Sequence, residues 1–170
     1  LFNADNIKAK FRKIKAKFMG LFKKTRIVFM GTPEFSVAAL DRLVQKGYDV
    51  VGVVTAVDKP CGRGMKVSCS AVKEYALAHN LLLLQPVSLK DEAFLEELRS
   101  WKPDLFVVVA FRLLPEAVFS IPKLGTFNLH AALLPQYRGA APINWAIING
   151  ENMTGVTTFM IDAGVDTGKI

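Results

Sequence analysis

From residue 25 onward, short runs of β-branched and apolar residues alternate with longer amphipathic stretches. The run RIVFM is followed by the helical pattern PEFSVAALDRLVQKG and then by the apolar run DVVGVVTA. Such alternation is typical of βαβ units, in which helices connect the strands of a mostly parallel sheet. Thr32 and Pro33 favour a helix start, and Gly47 favours its end. The pattern predicts an α/β fold with a mostly parallel central sheet flanked by helices.

The same alternation continues to the end of the chain. LFVVVAF is apolar throughout, as expected of a strand at the centre of a sheet. Ser88 is the expected cap of the helix before it, in which Phe94, Leu98 and Trp101 share one face. The last residues, DTGKI, fit the start of a further strand, so we expect the sequence to be part of a longer protein. The other predicted elements are a loop at VDKPCGRGMKVSCS, a helix near 71–79, a strand at LLLL, a short helix from about 115, a strand at TFNLH, a helix at PINWAIING and a strand at TGVTTFMI.

The composition is that of a globular protein. The chain has 170 residues, of which 51% are hydrophobic, so it can bury one sizeable core. No apolar run reaches the roughly 18 residues that a membrane-spanning helix requires, so we expect no stable membrane span. The two cysteines, Cys61 and Cys69, are too few for a disulfide framework or a zinc site. Reduced thiols are usual in the cytoplasm, and we expect a soluble, cytoplasmic protein.

The net charge of +7 belongs to one segment of the chain. Residues 1–24 hold eight of the 22 Lys and Arg but only one of the 15 acidic residues, Asp5, so the remainder is neutral overall. Three roles are open for this segment: a surface that meets tRNA phosphates or anionic lipid, a mitochondrial presequence, or an appendage that packs on the domain. The Lys bias and the lack of Ser argue against a presequence. Apolar residues at helical spacing predict a basic amphipathic helix here, namely Ile7, Phe11, Ile14, Phe18 and Phe22.

Asn128 and His130 stand two residues apart at the end of the predicted strand TFNLH. Side chains alternate across a strand, so these two share a face while Leu129 points to the other. Ligands of open α/β sheets bind beyond the carboxyl ends of the strands, where this pair falls. The pair can therefore reach one bound molecule, although Asn and His at a strand end also often cap turns and backbone groups. The loop that follows takes about a dozen residues, more than a simple turn requires.

The sequence around this pair resembles that of the formyltransferases that use 10-formyltetrahydrofolate. It contains Asn-x-His, then AALLP where the family has a small-small-Leu-Leu-Pro segment, then RGAAP and finally IDAGVDTG. The resemblance extends over residues 25–170 and implies a Rossmann-like formyltransferase fold. The turn GTPEF fits the same family and differs from the G-x-G-x-x-G of dinucleotide-binding folds, which argues against NAD. Residues 25–170 are expected to form a formyltransferase catalytic domain, incomplete at its C-terminal end.

The resemblance assigns the chemistry to Asn128, His130 and Asp166. In formyl transfer an amine attacks the formyl carbon, an oxyanion forms, and the folate N10 leaves with a proton. Asn128 can donate to the oxyanion, and His130 can carry a proton near neutral pH. Asp166 can orient the imidazole or hold a water, whereas Asp162 is expected to be a loop cap or a solvated charge. The family requires no metal.

The same resemblance implies where 10-formyltetrahydrofolate binds. The pterin ring would lie near the backbone of AFRLLP, and the folate would also contact the segment after the catalytic histidine. Plain core packing is the alternative for the leucines. The family often has Ser where this chain has Ala132, which has no hydroxyl for a hydrogen bond at that position. The expected cofactor-binding residues are Phe111, Leu113, Leu114, Ala132, Leu133, Leu134 and Pro135.

The loop DKPCGRGMKVSCSAVK bears on the formyl acceptor. It resembles the insertion of methionyl-tRNA formyltransferases that enters the acceptor stem, which formyltransferases for amino sugars or glycinamide ribotide generally lack. Lys59, Arg63 and Lys66 would give this loop a basic surface for phosphates or a base edge, with Arg63 foremost. An ordinary solvated loop is the alternative. The expected partner is initiator methionyl-tRNA, and we expect a monomer.

Two other functions remain compatible with these motifs. RGAAPINWAIINGE also resembles sugar-nucleotide N-formyltransferases, although the GRG loop argues against that branch. The sequence could also belong to an inactive fragment that binds folate or RNA without turnover. His79, the only other histidine, lies at a predicted helix end beside Asn80, where we expect it to act as a cap.

Overall fold

The computed structural model describes residues 24–61, 66–164 and 166–170. Helices and strands alternate along them, as the hydrophobic pattern predicts. The strands are β1 (Arg26–Gly31), β2 (Asp49–Val54), β3 (Lys59–Cys61), β4 (Lys66–Ser68), β5 (Leu83–Leu84), β6 (Leu105–Val109), β7 (Thr126–His130) and β8 (Thr157–Met160). The helices are α1 (Glu34–Gln45), α2 (Ala71–Ala78), α3 (Glu92–Ser100), α4 (Glu116–Phe119) and α5 (Pro142–Ile148).

Six strands form one sheet in the order β5-β2-β1-β6-β7-β8. All neighbouring pairs are parallel except β7 and β8, which run antiparallel. β6 lies in the interior of the sheet, which confirms the prediction that LFVVVAF is a central strand. The prediction of a mostly parallel sheet with flanking helices is also confirmed.

The core has two halves, one on each face of the sheet. Along β1, Val28 and Met30 pack with Leu98 of α3 on one face. Phe29, one position along, packs with Leu40 of α1 on the opposite face. Because both faces are covered by helices, the central strands are apolar throughout rather than alternating. The carboxyl ends of β1, β6 and β7 are thereby held at one edge of a rigid layer.

Gly52 is required where β2 passes under α3, and its replacement by alanine should destabilise the fold. A Cβ at this position would overlap the indole ring of Trp101, which is 7% exposed and has little room to move. Overpacking of this kind typically costs about 1 to 3 kcal/mol. Urea denaturation of Gly52→Ala should therefore show a free energy of unfolding lower by about that amount.

A second substitution tests whether the indole ring is the cause. Trp101→Leu removes the ring atoms that the new Cβ would meet. Adding Gly52→Ala to Trp101→Leu should then cost much less than adding it to the native chain. An equal cost in both backgrounds would contradict the packing argument.

The structure corrects three details of the predicted elements. Asp91, not Ser88, caps α3 by accepting a hydrogen bond from the Ala93 N–H at 3.0 Å. The predicted loop after β2 contains the short antiparallel hairpin of β3 and β4. The last residues form no strand, although Met160 N–H donates to the Lys169 carbonyl at 2.9 Å.

Some predictions fall outside the described residues. Of the predicted basic helix in residues 1–24, only the last residue is described, so its role stays open. Arg63, which falls between β3 and β4 in the sequence, is likewise outside the described ranges. Among the described residues, no helix combines the length and the apolar character needed to cross a membrane.

Candidate active site

A cavity of about 970 Å³ opens at the carboxyl ends of the central strands. This volume is at the upper end of the range found for small-molecule sites. It lies where open α/β sheets bind their ligands. Its walls come from the turn after β1, the segment after β6, the end of β7, the loop before α5 with the first turn of that helix, and the loop after β8. The polar side chains in the wall include Asn128, His130, Asn144, Asp162 and Asp166.

His130 is the most enclosed of the predicted catalytic residues. Its side chain is 6% exposed, and Nε2 lies 2.8 Å from the carbonyl oxygen of Tyr137. A carbonyl oxygen can only accept, so this hydrogen bond places a hydrogen on Nε2. In the neutral imidazole Nδ1 then has a free lone pair, and it faces Asp166 Oδ2 at 3.7 Å. The ring is therefore oriented with its proton-accepting atom toward a carboxylate.

Asp166 is held in place by the loop before α5. Its Oδ2 accepts a hydrogen bond from the Gly139 N–H at 2.7 Å, and its side chain is 14% exposed. The 3.7 Å distance to His130 Nδ1 exceeds that of a hydrogen bond, and the two groups form an ion pair only when the imidazole is protonated. The structure thus brings Asp166 and His130 together, as the sequence motif implies.

Asn128 completes the polar group at the end of β7. It pairs with Val108 of β6 and Phe159 of β8, so backbone on both sides fixes its position. It lies two residues before His130 on the strand, and both line the cavity. Among the described residues, none forms a hydrogen bond with its side-chain amide, which leaves two N–H donors for a bound molecule.

Backbone strain is concentrated around this cavity. Among the described residues, six that are not glycine have positive φ, and four of them lie at the site: Ala110, Tyr137, Ala141 and Asp166. Each such residue costs of order 1 to 3 kcal/mol and persists only where the surroundings hold it. The long loop after β7 is needed because it must turn back through Tyr137 and Gly139 to support His130 and Asp166.

The predicted folate-binding residues divide into two groups. Phe111, Leu113 and Leu114 line the cavity, and their contact with folate stays a prediction. The segment 132–135 is absent from the described cavity wall. Thr157 holds this segment to the start of β8, because its Oγ1 donates to the Ala132 carbonyl at 2.7 Å and accepts from the Leu134 N–H at 3.1 Å. Contact of Ala132, Leu133, Leu134 and Pro135 with folate stays a prediction that the cavity does not support.

The predicted acceptor loop is anchored at its base. Lys59 is exposed at the start of β3, and Lys66 begins β4. Just before the hairpin, Asp58 forms an ion pair with Lys73 and accepts a hydrogen bond from Gln85 Nε2 at 2.9 Å. The hydrogen bond from Lys73 is the main reason why the pKa of Asp58 lies below its usual value. These contacts hold the chain in place just before the hairpin begins.

Asp162 and His79, which were predicted to act as caps, do so in the structure. Asp162 Oδ1 accepts from the Gly164 N–H at 3.0 Å and from Thr167 Oγ1 at 2.8 Å, so it caps its own loop. His79 ends α2, where its ring stacks on Tyr75 and Nδ1 lies 2.9 Å from the Tyr75 carbonyl. Within the described ranges, no group of three or more His, Cys, Asp and Glu side chains is placed to hold a metal ion.

Sequence reasoning missed the residues that support the site through their backbone. The Tyr137 carbonyl and the Gly139 N–H carry no signal in a side-chain pattern, although Gly139 has a φ of +89° that favours glycine. It also missed Arg112, whose guanidinium donates to the carbonyls of Pro86 and Val87 and ties the cavity wall to the loop before α3. The unusual length of the loop after β7 was the available hint.

The sequence model of one protein family, described as formyl transferase, matches residues 25–170. The chain belongs to the formyl transferase family. A Flavobacterium johnsoniae protein named methionyl-tRNA formyltransferase is 67% identical over 148 residues, which are 87% of this chain and 47% of that protein. The chain thus spans about half the length of the curated relatives it matches.

Solved formyl transferase structures share the fold. Phosphoribosylglycinamide formyltransferase from Bacillus halodurans superposes with a TM-score of 0.68 at 22% identity, covering 86% of this chain and 76% of that one. A sugar 3N-formyl transferase, solved in the presence of dTDP and 5-N-formyl-THF, gives 0.55 at 24% identity, covering 85% and 48%. At these identities the likeness concerns the fold alone, and it confirms the Rossmann-like prediction.

Proposed function

We propose that this chain carries the catalytic machinery of a methionyl-tRNA formyltransferase. In this reaction the formyl group of 10-formyltetrahydrofolate passes to the amino group of methionine on initiator tRNA. The observation that carries the proposal is the meeting of Asn128, His130 and Asp166 in one cavity of a chain 67% identical to a protein of that name. A cytoplasmic location and a monomeric state are part of the proposal.

The reaction requires one proton to move between two nitrogens. The methionine amine attacks the formyl carbon, a new C–N bond forms, and the carbonyl oxygen becomes an oxyanion. The bond from the formyl carbon to N10 then breaks. The amine loses one proton and N10 gains one, so the reaction takes up or releases no net proton, and a group between the two nitrogens can carry it.

His130 is placed to carry that proton through Nδ1. The hydrogen bond to Tyr137 occupies Nε2, which leaves the Nδ1 lone pair to accept a proton from the attacking amine. The resulting imidazolium lies beside the Asp166 carboxylate, which stabilises its charge. The same proton can then pass to N10 as the bond to the formyl carbon breaks.

Asn128 is placed to stabilise the oxyanion. Its backbone lies on β7 and is fixed by pairing with β6 and β8, so the point from which the side chain leaves the strand is fixed. A donor fixed before the reaction stabilises developing charge without the cost of reorganisation. The apolar wall that includes Phe111, Leu113 and Leu114 suits the flat ring system of a folate.

The acceptor assignment depends on the β3–β4 hairpin. Its anchored base and basic residues fit a surface that meets the phosphates of tRNA. The sugar 3N-formyl transferase shares only the fold, so it gives no support for a sugar acceptor. A folate- or RNA-binding fragment without turnover remains as an outcome of the test.

The test is a formyl-transfer assay with 10-formyltetrahydrofolate and two acceptors in parallel, methionyl initiator tRNA and a UDP-amino sugar. We expect product on the tRNA alone. Arg63→Ala should raise the KM for tRNA by about tenfold, whereas Arg99→Ala, an exposed arginine on α3, should not. Product on the sugar would overturn the acceptor assignment, and folate binding without product would establish the inactive fragment.

A further inference from the structure

The side chain of Tyr137 is held by the end of α5. Its hydroxyl donates to Glu151 Oε1 and accepts a hydrogen bond from Asn149 Nδ2 at 3.1 Å. We name Tyr137, Asn149 and Glu151 the tyrosine clamp. The hydrogen bond to Glu151 is the main reason why the pKa of the phenol is raised, so the phenol keeps its proton well above neutral pH.

The end of α5, which supplies Asn149 and Glu151 to the clamp, is itself rigid. Asn149 caps the C-terminal end of α5, and Gly150 has a φ of +67° that reverses the chain there. The Glu151 N–H then donates to the Ala146 carbonyl at 2.9 Å, which closes the helix end. Asn149 and Glu151 therefore approach Tyr137 from a fixed helix terminus rather than from a free loop.

The backbone of Tyr137, the third member of the clamp, is strained. Tyr137 has a φ of 56°, a left-handed conformation that a side chain with a Cβ rarely adopts. A strained residue relaxes unless other interactions hold it. Relaxation of φ and ψ would rotate the Tyr137 carbonyl, which is the group that accepts the hydrogen bond from His130 Nε2.

We propose that Tyr137 is a positioning residue, held by Asn149 and Glu151, which keeps its strained carbonyl aimed at His130 Nε2. The clamp thereby keeps the hydrogen of neutral His130 on Nε2 and leaves Nδ1 toward Asp166 to take the proton. The catalytic part of this inference rests on the proposed formyl transfer, whereas the effect on the imidazole does not.

The imidazole can be observed directly because the chain has only two histidines, His79 and His130. In NMR spectra of the ¹⁵N-labelled chain, the Nε2–H proton of His130 should be visible, since it is buried and hydrogen-bonded. Tyr137→Phe keeps the ring but removes the hydroxyl, and it should broaden or remove that signal. Glu151→Ala, at an exposed position, should do the same, while the His79 signals stay unchanged.

Kinetics supply the second readout. Tyr137→Phe and Glu151→Ala should each lower kcat by about tenfold and leave the KM for folate and tRNA within about twofold. The double variant should lose no more than either single variant, because both break one clamp. Glu151→Gln should retain most activity, since its amide oxygen can still accept from the tyrosine hydroxyl.

The outcomes separate this inference from the proposed function. An unchanged Nε2–H signal in both clamp variants would overturn the positioning role, whatever their activity. A changed Nε2–H signal with an unchanged kcat would show that the clamp positions His130 but that this position does not affect catalysis, which would overturn the catalytic part of the inference. A changed signal in a chain that formylates neither acceptor would support the positioning of His130 and reject formyl transfer as its purpose.

Discussion

Replacing His130 by alanine should lower kcat for formyl transfer by roughly 10² to 10⁴, the contribution typical of a positioned acid–base group. The expectation follows from the geometry of the imidazole. Its Nε2 is engaged by a backbone carbonyl, its Nδ1 faces Asp166, and the residue lines the cavity. Without this ring, no other histidine of the chain lines the described cavity wall to move the proton between the two nitrogens.

Single-turnover kinetics at saturating folate and tRNA would measure this loss apart from binding and product release. Folate affinity should change only a few-fold, since the apolar wall of the cavity remains. The matched control is His79→Ala at the exposed end of α2, which should leave the rate unchanged. A His130→Ala enzyme within about tenfold of the native rate would show that the proton takes another path.

Replacing Asn128 by alanine should lower kcat by roughly 10² to 10³, as expected for the loss of one oxyanion donor. The side chain has no hydrogen-bond partner among the described residues, so the native fold loses little when it is removed. The loss should fall on the transition state, because the oxyanion exists only there. The KM for either substrate should therefore change much less than kcat.

Asn128→Asp provides a stricter test of the same idea. Aspartate has nearly the same shape but would place a negative charge beside the developing oxyanion, so its loss should equal or exceed that of alanine. Asn152→Ala, at an exposed position after α5, serves as the matched control. If Asn128→Asp were faster than Asn128→Ala, the side chain would be acting on a positive charge rather than on an oxyanion.

Much of the fold could be predicted because the spacing of hydrophobic residues distinguishes a helix from a strand. The central position of β6 followed from an unbroken apolar run, which only a strand covered on both faces can satisfy. The cap of α3 was predicted at Ser88 instead of Asp91, since both are short polar residues near the same helix start. The choice between them depends on which residue is the first of the helix, and the hydrophobic pattern does not define that residue.

Other features depended on contacts between distant segments. The antiparallel direction of β8 arises from its backbone pairing with β7, which has no signature in a single strand. The family resemblance implies that the segment 132–135 meets folate, and this contact stays a prediction. What the structure adds is that Thr157 binds two backbone groups of that segment, the Ala132 carbonyl and the Leu134 N–H, and so holds it to β8.

The sequence by itself determined the helices and the strands of the main sheet, that Asn128 and His130 leave the same strand near its end, and which family the chain belongs to. Only the tertiary structure decided that the Tyr137 carbonyl fixes the hydrogen of His130 and that Gly139 holds Asp166 beside it. The physical reason is that a side-chain pattern reports how a residue sits on its own element. The distance between two loops, and the direction of a backbone carbonyl within one, follow from packing of the whole chain.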